Sequence, residues 1–193
     1  MTINQAVLEM YKEVMMNLGQ LKKSVVLIVL ACLVGCTHNF NVKPFPIKPN
    51  LLPQLNIKKS VQIVNVQDQG KNNVFKSGAG SKWIGDLGQW TGGAVDLLKF
   101  ELNKKNVTLA DDAGKILKLA ITEGKLITEF AGIRCVVKLK VEAGNGYTQK
   151  YEGNHRNSSP IAEQARRYAG AGAVTKAVTD LLNDRNIIEY LEN

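Results

Sequence analysis

Residues 115–151 read KILKLAITEGKLITEFAGIRCVVKLKVEAGNGYTQKY, and their alternation decides the fold class. In the first segment, Lys115 to Phe130, the residues Leu117, Leu119 and Ile121 fall on one side; in the second, Ile133 to Glu142, Cys135, Val137, Leu139 and Val141 do. Successive side chains of a strand point to opposite faces, so this period of two predicts half-buried strands. Gly144-Asn145-Gly146 predicts a tight hairpin turn into a third strand, Tyr147 to Tyr151. The other side of the middle strand carries Arg134, Lys138, Lys140 and Glu142. The sheet is therefore expected to be covered on one face and open to solvent on the other.

The period changes on both flanks. After Ser159-Pro160, a capping Ser and a proline at the first helical position, the apolar residues Ala165, Ala169, Ala173, Val174, Ala177, Val178, Leu181 and Leu182 recur at helical spacing up to Asp184. Gly170 and Gly172 interrupt this helix and each costs about 1 kcal/mol relative to Ala, which points to a close approach or a bend. A final piece, Asn186 to Leu191, fits a short helix or an edge strand. Upstream, Thr91 precedes Ala94, Val95, Leu98 and Leu102, a helix over 91–103 with Thr91 as its cap. Asn106 to Leu109 then reads as a short extended piece and Asp111 to Gly114 as a turn.

Ser60 to Val66 is β-branched and predicts the first strand, followed by a loop over Gln67 to Gln89, rich in Gly, Asn and Ser. The expected order is β-α-β-β-β-α: an α+β two-layer sandwich over residues 60–193, its sheet mainly antiparallel and its helices packed on one face. The 193 residues, 45% hydrophobic, suit one such domain. Aromatics make up only 6%, so Val, Ile, Leu and Ala must build most of its core.

Four of the five prolines lie in residues 37–59, which excludes continuous helix and predicts an extended tether. Ahead of it, Lys22-Lys23 is followed by a run from Ser24 to Gly35 that is almost wholly apolar. A basic start and an apolar stretch of roughly a dozen residues match an export signal and fall short of the ~20 that span a bilayer. Leu33-Val34-Gly35-Cys36 resembles the lipobox of bacterial lipoproteins, in which small residues admit the signal peptidase and the cysteine thiol is acylated. Residues 1–35 are thus expected to be a lipoprotein signal and Cys36 the lipidation site. The mixed-charge stretch before it, with Glu9, Lys12 and Glu13, points to a true translation start at Met15 or Met16.

Two or three acyl chains exceed the single-chain threshold for stable attachment, at about 0.8 kcal/mol per buried CH₂. Thr37 follows the cysteine, where the lipoproteins that enterobacteria keep at the inner membrane have Asp, so the resemblance implies the outer membrane, facing the periplasm. Cys32 leaves with the signal and Cys36 is acylated, so Cys135 stays alone on an apolar strand face, a small buried hydrophobe.

Little here supports catalysis. His38 lies in the tether and His155 in the polar Asn154-His155-Arg156-Asn157, with no HxxxH or CxxC beside either. Asp111-Asp112 reads as a solvated turn. Ser77-Gly78-Ala79-Gly80-Ser81-Lys82 lacks the GxxxxGK[ST] spacing of a phosphate cradle. No catalytic residue, metal ligand or cofactor is expected.

Charge is the remaining signal. Removal of residues 1–35 takes three Lys and two Glu, leaving 22 basic against 15 acidic side chains, a net +7 that favours anionic partners. Arg134, Lys138, Lys140 and Lys150, on adjacent strands, are the candidate contact surface, with Arg156, Arg166 and Arg167 beyond. The export signal argues against nucleic acid.

The lipobox, the proline-rich segment, the helix ending Leu98-Lys99-Phe100-Glu101-Leu102, the hairpin and the run from Ala177 to Leu191 together resemble the YajG-type lipoprotein family of Gram-negative bacteria. The resemblance implies a periplasm-facing outer-membrane lipoprotein with no established enzymatic activity. The expected function is a non-enzymatic, lipid-anchored binding or envelope-assembly module, or else an auxiliary subunit of an envelope transport or secretion complex. Its expected partners are the membrane, through the lipid, and an envelope protein, lipopolysaccharide or peptidoglycan.

Overall fold

The structure is a computed structural model that describes residues 36–70, 72–78 and 81–193, with backbone alone at 36, 76–78 and 81. The signal segment 1–35 and the choice of start between Met15 and Met16 lie outside the described residues. The chain divides into two compact units, residues 1–37 with 78–82, and residues 38–77 with 83–193. The second carries the main sheet and the helices of the described residues.

In chain order the elements among the described residues are strands β1 (Cys36–Asn39), β2 (Val61–Asn65), β3 (Asn72–Gly78) and β4 (Ser81–Asp86), helix α1 (Leu87–Lys104), strands β5 (Lys115–Glu129), β6 (Gly132–Ala143) and β7 (Thr148–Asn157), and helices α2 (Ala162–Leu182) and α3 (Arg185–Glu192). The main sheet has the order β2-β5-β6-β7, with β2 parallel to β5 and the other pairs antiparallel. A smaller sheet has the order β1-β4-β3. The class is α+β, and β2-α1-β5-β6-β7-α2 reproduces the expected order, with the hairpin β3-β4 inserted and α3 appended.

The alternation in β6 is complete: Ile133, Cys135, Val137, Leu139 and Val141 are buried and the residues between them are half-buried. The inner face of the sheet is covered by α1, with Leu98 and Leu102, over β2 and β5, and by α2, with Ala169, Ala173, Val174, Ala177 and Val178, over β6 and β7. The small residues of α2 let it lie very close to the sheet. A Cβ on Gly153 of β7 would stand 1.8 Å from the Ala173 carbonyl oxygen, and one on Gly172 would stand 2.3 Å from the His155 ring. The glycine at 172 thus serves close approach rather than a bend.

β5 departs from a plain period of two. Its register against β6 slips between Ile121 and Glu123, where it carries one extra residue. Before this bulge the odd positions Leu117, Leu119 and Ile121 are buried; beyond it Gly124 and Leu126 are. The bulge is what turns Glu123 and Lys125 onto the open face.

Three expectations need correction. The loop assigned to Gln67 to Gln89 holds the β3-β4 hairpin and the first turn of α1. Phe75 and Trp83, buried with Phe40 and Trp90 in an aromatic cluster, hold the hairpin despite its turn-prone composition. Helix α1 starts at Leu87 because Asp86, not Thr91, caps it, its side chain accepting from Gly88 N at 2.7 Å and Gln89 N at 3.3 Å. Ser159 and Pro160 precede α2, which begins at Ala162 without a side-chain cap.

Residues 38–59 are extended, apart from one 3-10 turn at Pro49–Leu51, but they lie on the body as a strap. Phe40 and Ile47 are buried. The Phe45 N–H donates to Thr175 Oγ1 at 2.9 Å, Ile47 N–H to Glu101 Oε1 at 2.9 Å and Asn56 N–H to Glu192 Oε1 at 2.7 Å. Sequence composition alone, which predicts an extended tether, does not register these long-range bonds.

Candidate functional site: a basic sheet face and an apolar groove

The open face of the main sheet is built by register. Lys138 stands opposite Glu123 on one side and Glu152 on the other; Lys140 stands opposite Ala120 and Lys150; Arg134 opposite Ile127 and Arg156. All four candidate residues, Arg134, Lys138, Lys140 and Lys150, therefore share one face, as expected. Arg166 and Arg167 do not join them: the Arg166 guanidinium lies 4.2 Å over the Trp83 ring, and Arg167 pairs with Glu163 at 2.8 Å.

The charge of this face is partly spent. Arg134 pairs with Glu129, which also meets Arg156 Nε at 3.4 Å. Lys138 Nζ donates to Glu123 Oε2 at 2.6 Å. This hydrogen bond and the attraction behind it hold the Lys138 ammonium above its ordinary pKa and the Glu123 carboxyl below its own. Lys118 meets Glu142 at 3.5 Å. Lys140 and Lys150 have no ion-pair partner among the described residues and stand directly opposite each other, an arrangement that costs stability by like-charge repulsion. Lys125, brought to this face by the bulge, adds a third cation without an ion-pair partner among the described residues. The cations of this face without an ion-pair partner among the described residues are thus Lys125, Lys140 and Lys150, while Lys138 is paired with Glu123 and Arg134 shares Glu129 with Arg156.

The residues weighed for catalysis are scattered. His38 stacks on Trp83 with ring centroids 4.5 Å apart, and His155 lies at the edge strand against Gly172. Asp111 and Asp112 sit exposed in a turn. Cys135 is fully buried, and burial pushes its thiol up to about 12, which leaves a packing role. Among the described residues no group of three His, Cys, Asp or Glu side chains converges on a point. No described helix is long and apolar enough to cross a membrane.

A second feature was not visible in the sequence because it needs the strap. Val42, Pro44 and Pro46 form one wall and Trp90, Leu97 and Phe100 of α1 the other, enclosing a half-open apolar groove of about 610 Å³. Gly93 permits this: a Cβ there would meet Pro44 Cδ at 3.1 Å. Asp96 and Lys43 supply its charges, and Phe100 is 49% exposed. The volume lies within the ordinary range of ligand pockets.

No protein-family profile matches the chain, and no curated protein does. Among solved structures, the chain is similar to a candidate neuraminyllactose-binding hemagglutinin homolog from Helicobacter pylori. The two share 13% identity at a TM-score of 0.39, over 77% of this chain and 96% of that one. A likeness this loose carries nothing further about the chain.

Proposed function

We propose that the protein is a lipid-anchored lipoprotein of the bacterial outer membrane, of the YajG type, that faces the periplasm as a non-enzymatic binding or envelope-assembly module. The observation that carries this reading is Leu33-Val34-Gly35-Cys36 placed directly behind Lys22-Lys23 and a short apolar run. Lipidation at Cys36 leaves a short spacer, because the strap is engaged from His38 onward. Binding is assigned to the open sheet face, where Lys140 and Lys150 face each other at a cost in stability that an anionic partner offsets. Lipopolysaccharide, peptidoglycan or an acidic envelope protein supplies that chemistry.

The alternative, an auxiliary subunit of an envelope transport or secretion complex, is favoured by the groove beside Phe100, whose apolar walls suit a protein segment better than a sugar or a phosphate.

Metabolic labelling with an alkyne fatty acid in a Gram-negative host, followed by membrane fractionation, tests the anchor. The full chain is expected to take the label and sediment with the outer membrane, while Cys36→Ser remains unlabelled and is not retained there. Absence of label on the unmutated chain overturns the reading.

A further inference from the structure

The two edges of the main sheet are treated differently. At the β2 edge, Val61 N–H donates to Thr108 O at 2.9 Å and Ala110 N–H to Val61 O at 3.2 Å, so the segment 108–110 covers part of it. At the other end β7 runs ten residues with no bulge in its register to β6, and no described strand lies beyond it. It contains no proline, and an open edge of this kind is a template for another chain.

The ladder shows which backbone groups are free. Tyr147 O accepts from Ala143 N at 2.8 Å, so the odd positions of this hairpin exchange hydrogen bonds with β6. The Lys150 N–H instead donates to Gln149 Oε1 at 3.2 Å, the side chain of its own neighbour. The outward groups are therefore those of Thr148, Lys150, Glu152 and Asn154, whose side chains also lie on the open face.

We propose that β7 pairs antiparallel with β7 of a second copy of this chain, about a dyad at Tyr151, joining two main sheets into one. In that register Lys150 stands opposite Glu152 of the second copy twice, and Thr148 opposite Asn154 twice, and every facing pair exchanges backbone hydrogen bonds once the Lys150 N–H leaves the Gln149 side chain. Charge selects it. Sliding the second copy by two residues one way sets Lys150 against Lys150, and the other way Glu152 against Glu152. A register that pairs Glu152 with Arg156 shortens the ladder and takes Arg156 from Phe130 O, to which it donates at 2.7 Å. The pairing uses Lys150 and leaves Lys125 and Lys140 as the free cations on each half of the joined face.

The test uses the full chain in mild detergent, mixed as equal parts isotopically light and heavy protein. Zero-length carbodiimide coupling is expected to yield mixed-isotope peptides joining Lys150 to Glu152, and sedimentation a dimer. Lys150→Glu or Glu152→Lys, each reversing two facing pairs, is expected to weaken the dimer about tenfold or more, and the double exchange Lys150→Glu with Glu152→Lys to restore it. Far-UV circular dichroism confirms that these exposed substitutions leave the fold intact. A monomer, a dimer without the mixed-isotope link, or single variants as tight as the parent would overturn the proposal.

Discussion

Thr91 Oγ1 accepts the Ile121 N–H at 2.8 Å while donating to Leu87 O at 2.8 Å, so one buried hydroxyl joins α1 to β5 where the β5-β6 register slips. Val66 N–H donates to Leu119 O, so the odd positions of β5 face β2; β2 pairing ends at Asn65 opposite Leu119, and Thr91 takes the N–H of the next odd position, Ile121. Thr91→Val keeps the shape and removes the acceptor. It is expected to destabilise by about 1–3 kcal/mol, the cost of a buried donor left unpaired, read from the urea midpoint at unchanged slope.

The same residue shows what the sequence makes legible. Thr91 before an apolar stripe looks like a cap, since a hydroxyl serves an N-cap and a strand N–H left without a neighbouring strand equally well and only the tertiary partner separates them. The strands β5 to β7 and the long α2 were legible because their periodicity is a one-dimensional signal that burial repeats faithfully. The strap, the β3-β4 hairpin and the groove were not, because Phe40, Ile47, Phe75 and Trp83 are isolated apolar residues whose burial depends on partners far away in the chain. Of the site, the shared face of Arg134, Lys138, Lys140 and Lys150 was legible from alternation alone. Which of them are neutralised was not, because that depends on the extra residue in β5 that brings Glu123 to Lys138.

Gly153 is where strand and helix come closest, with the Ala173 carbonyl oxygen 1.8 Å from the position of a Cβ. That oxygen belongs to helix backbone and cannot rotate aside. Gly153→Ala is expected to cost about 3 kcal/mol or more by forcing α2 off β7. Gly146, at φ 90° in the hairpin turn with open space around it, provides the contrast. Gly146→Ala is expected to cost only its backbone strain, on the order of 1 kcal/mol. Thermal denaturation of the two variants side by side separates packing from strain.

Asp184 caps α3, with Oδ1 accepting from Asn186 N at 2.8 Å, and its Oδ2 accepts from the hydroxyls of Tyr151 at 2.6 Å and Tyr147 at 2.9 Å. Burial acts to raise its pKa, but these hydrogen bonds outweigh it and hold the carboxyl below its ordinary value. A carboxyl depressed in the folded state stabilises the fold fully above the ordinary carboxyl pKa, near 4, and loses that contribution as pH falls through the folded value. Asp184→Asn is expected to cost about 1 kcal/mol at neutral pH, and the gap to the parent should close as the pH is lowered below about 4. Urea melts across this range check it; a gap independent of pH would mean that the carboxylate is not the stabilising form.

Lys140 offers a prediction that separates binding from stability. It faces Lys150 without a neutralising acid, so its removal relieves repulsion, whereas Lys138 has Glu123 at 2.6 Å. Lys125→Gln with Lys140→Gln is therefore expected to leave the melting temperature unchanged or slightly raised, the relief being worth roughly 0.2–1 kcal/mol. The same variant should lose most of its retention on vesicles containing lipopolysaccharide or phosphatidylglycerol, and retention of the parent should itself fall as salt is raised. Lys138→Gln, by contrast, leaves the Glu123 carboxylate without its hydrogen-bond partner, so retention and local order are expected to fall together. Vesicle co-sedimentation beside thermal melts of the three proteins decides the matter. Undiminished retention in the double variant would show that the open sheet face is a solvated surface and would move the search for a partner to the groove beside Phe100.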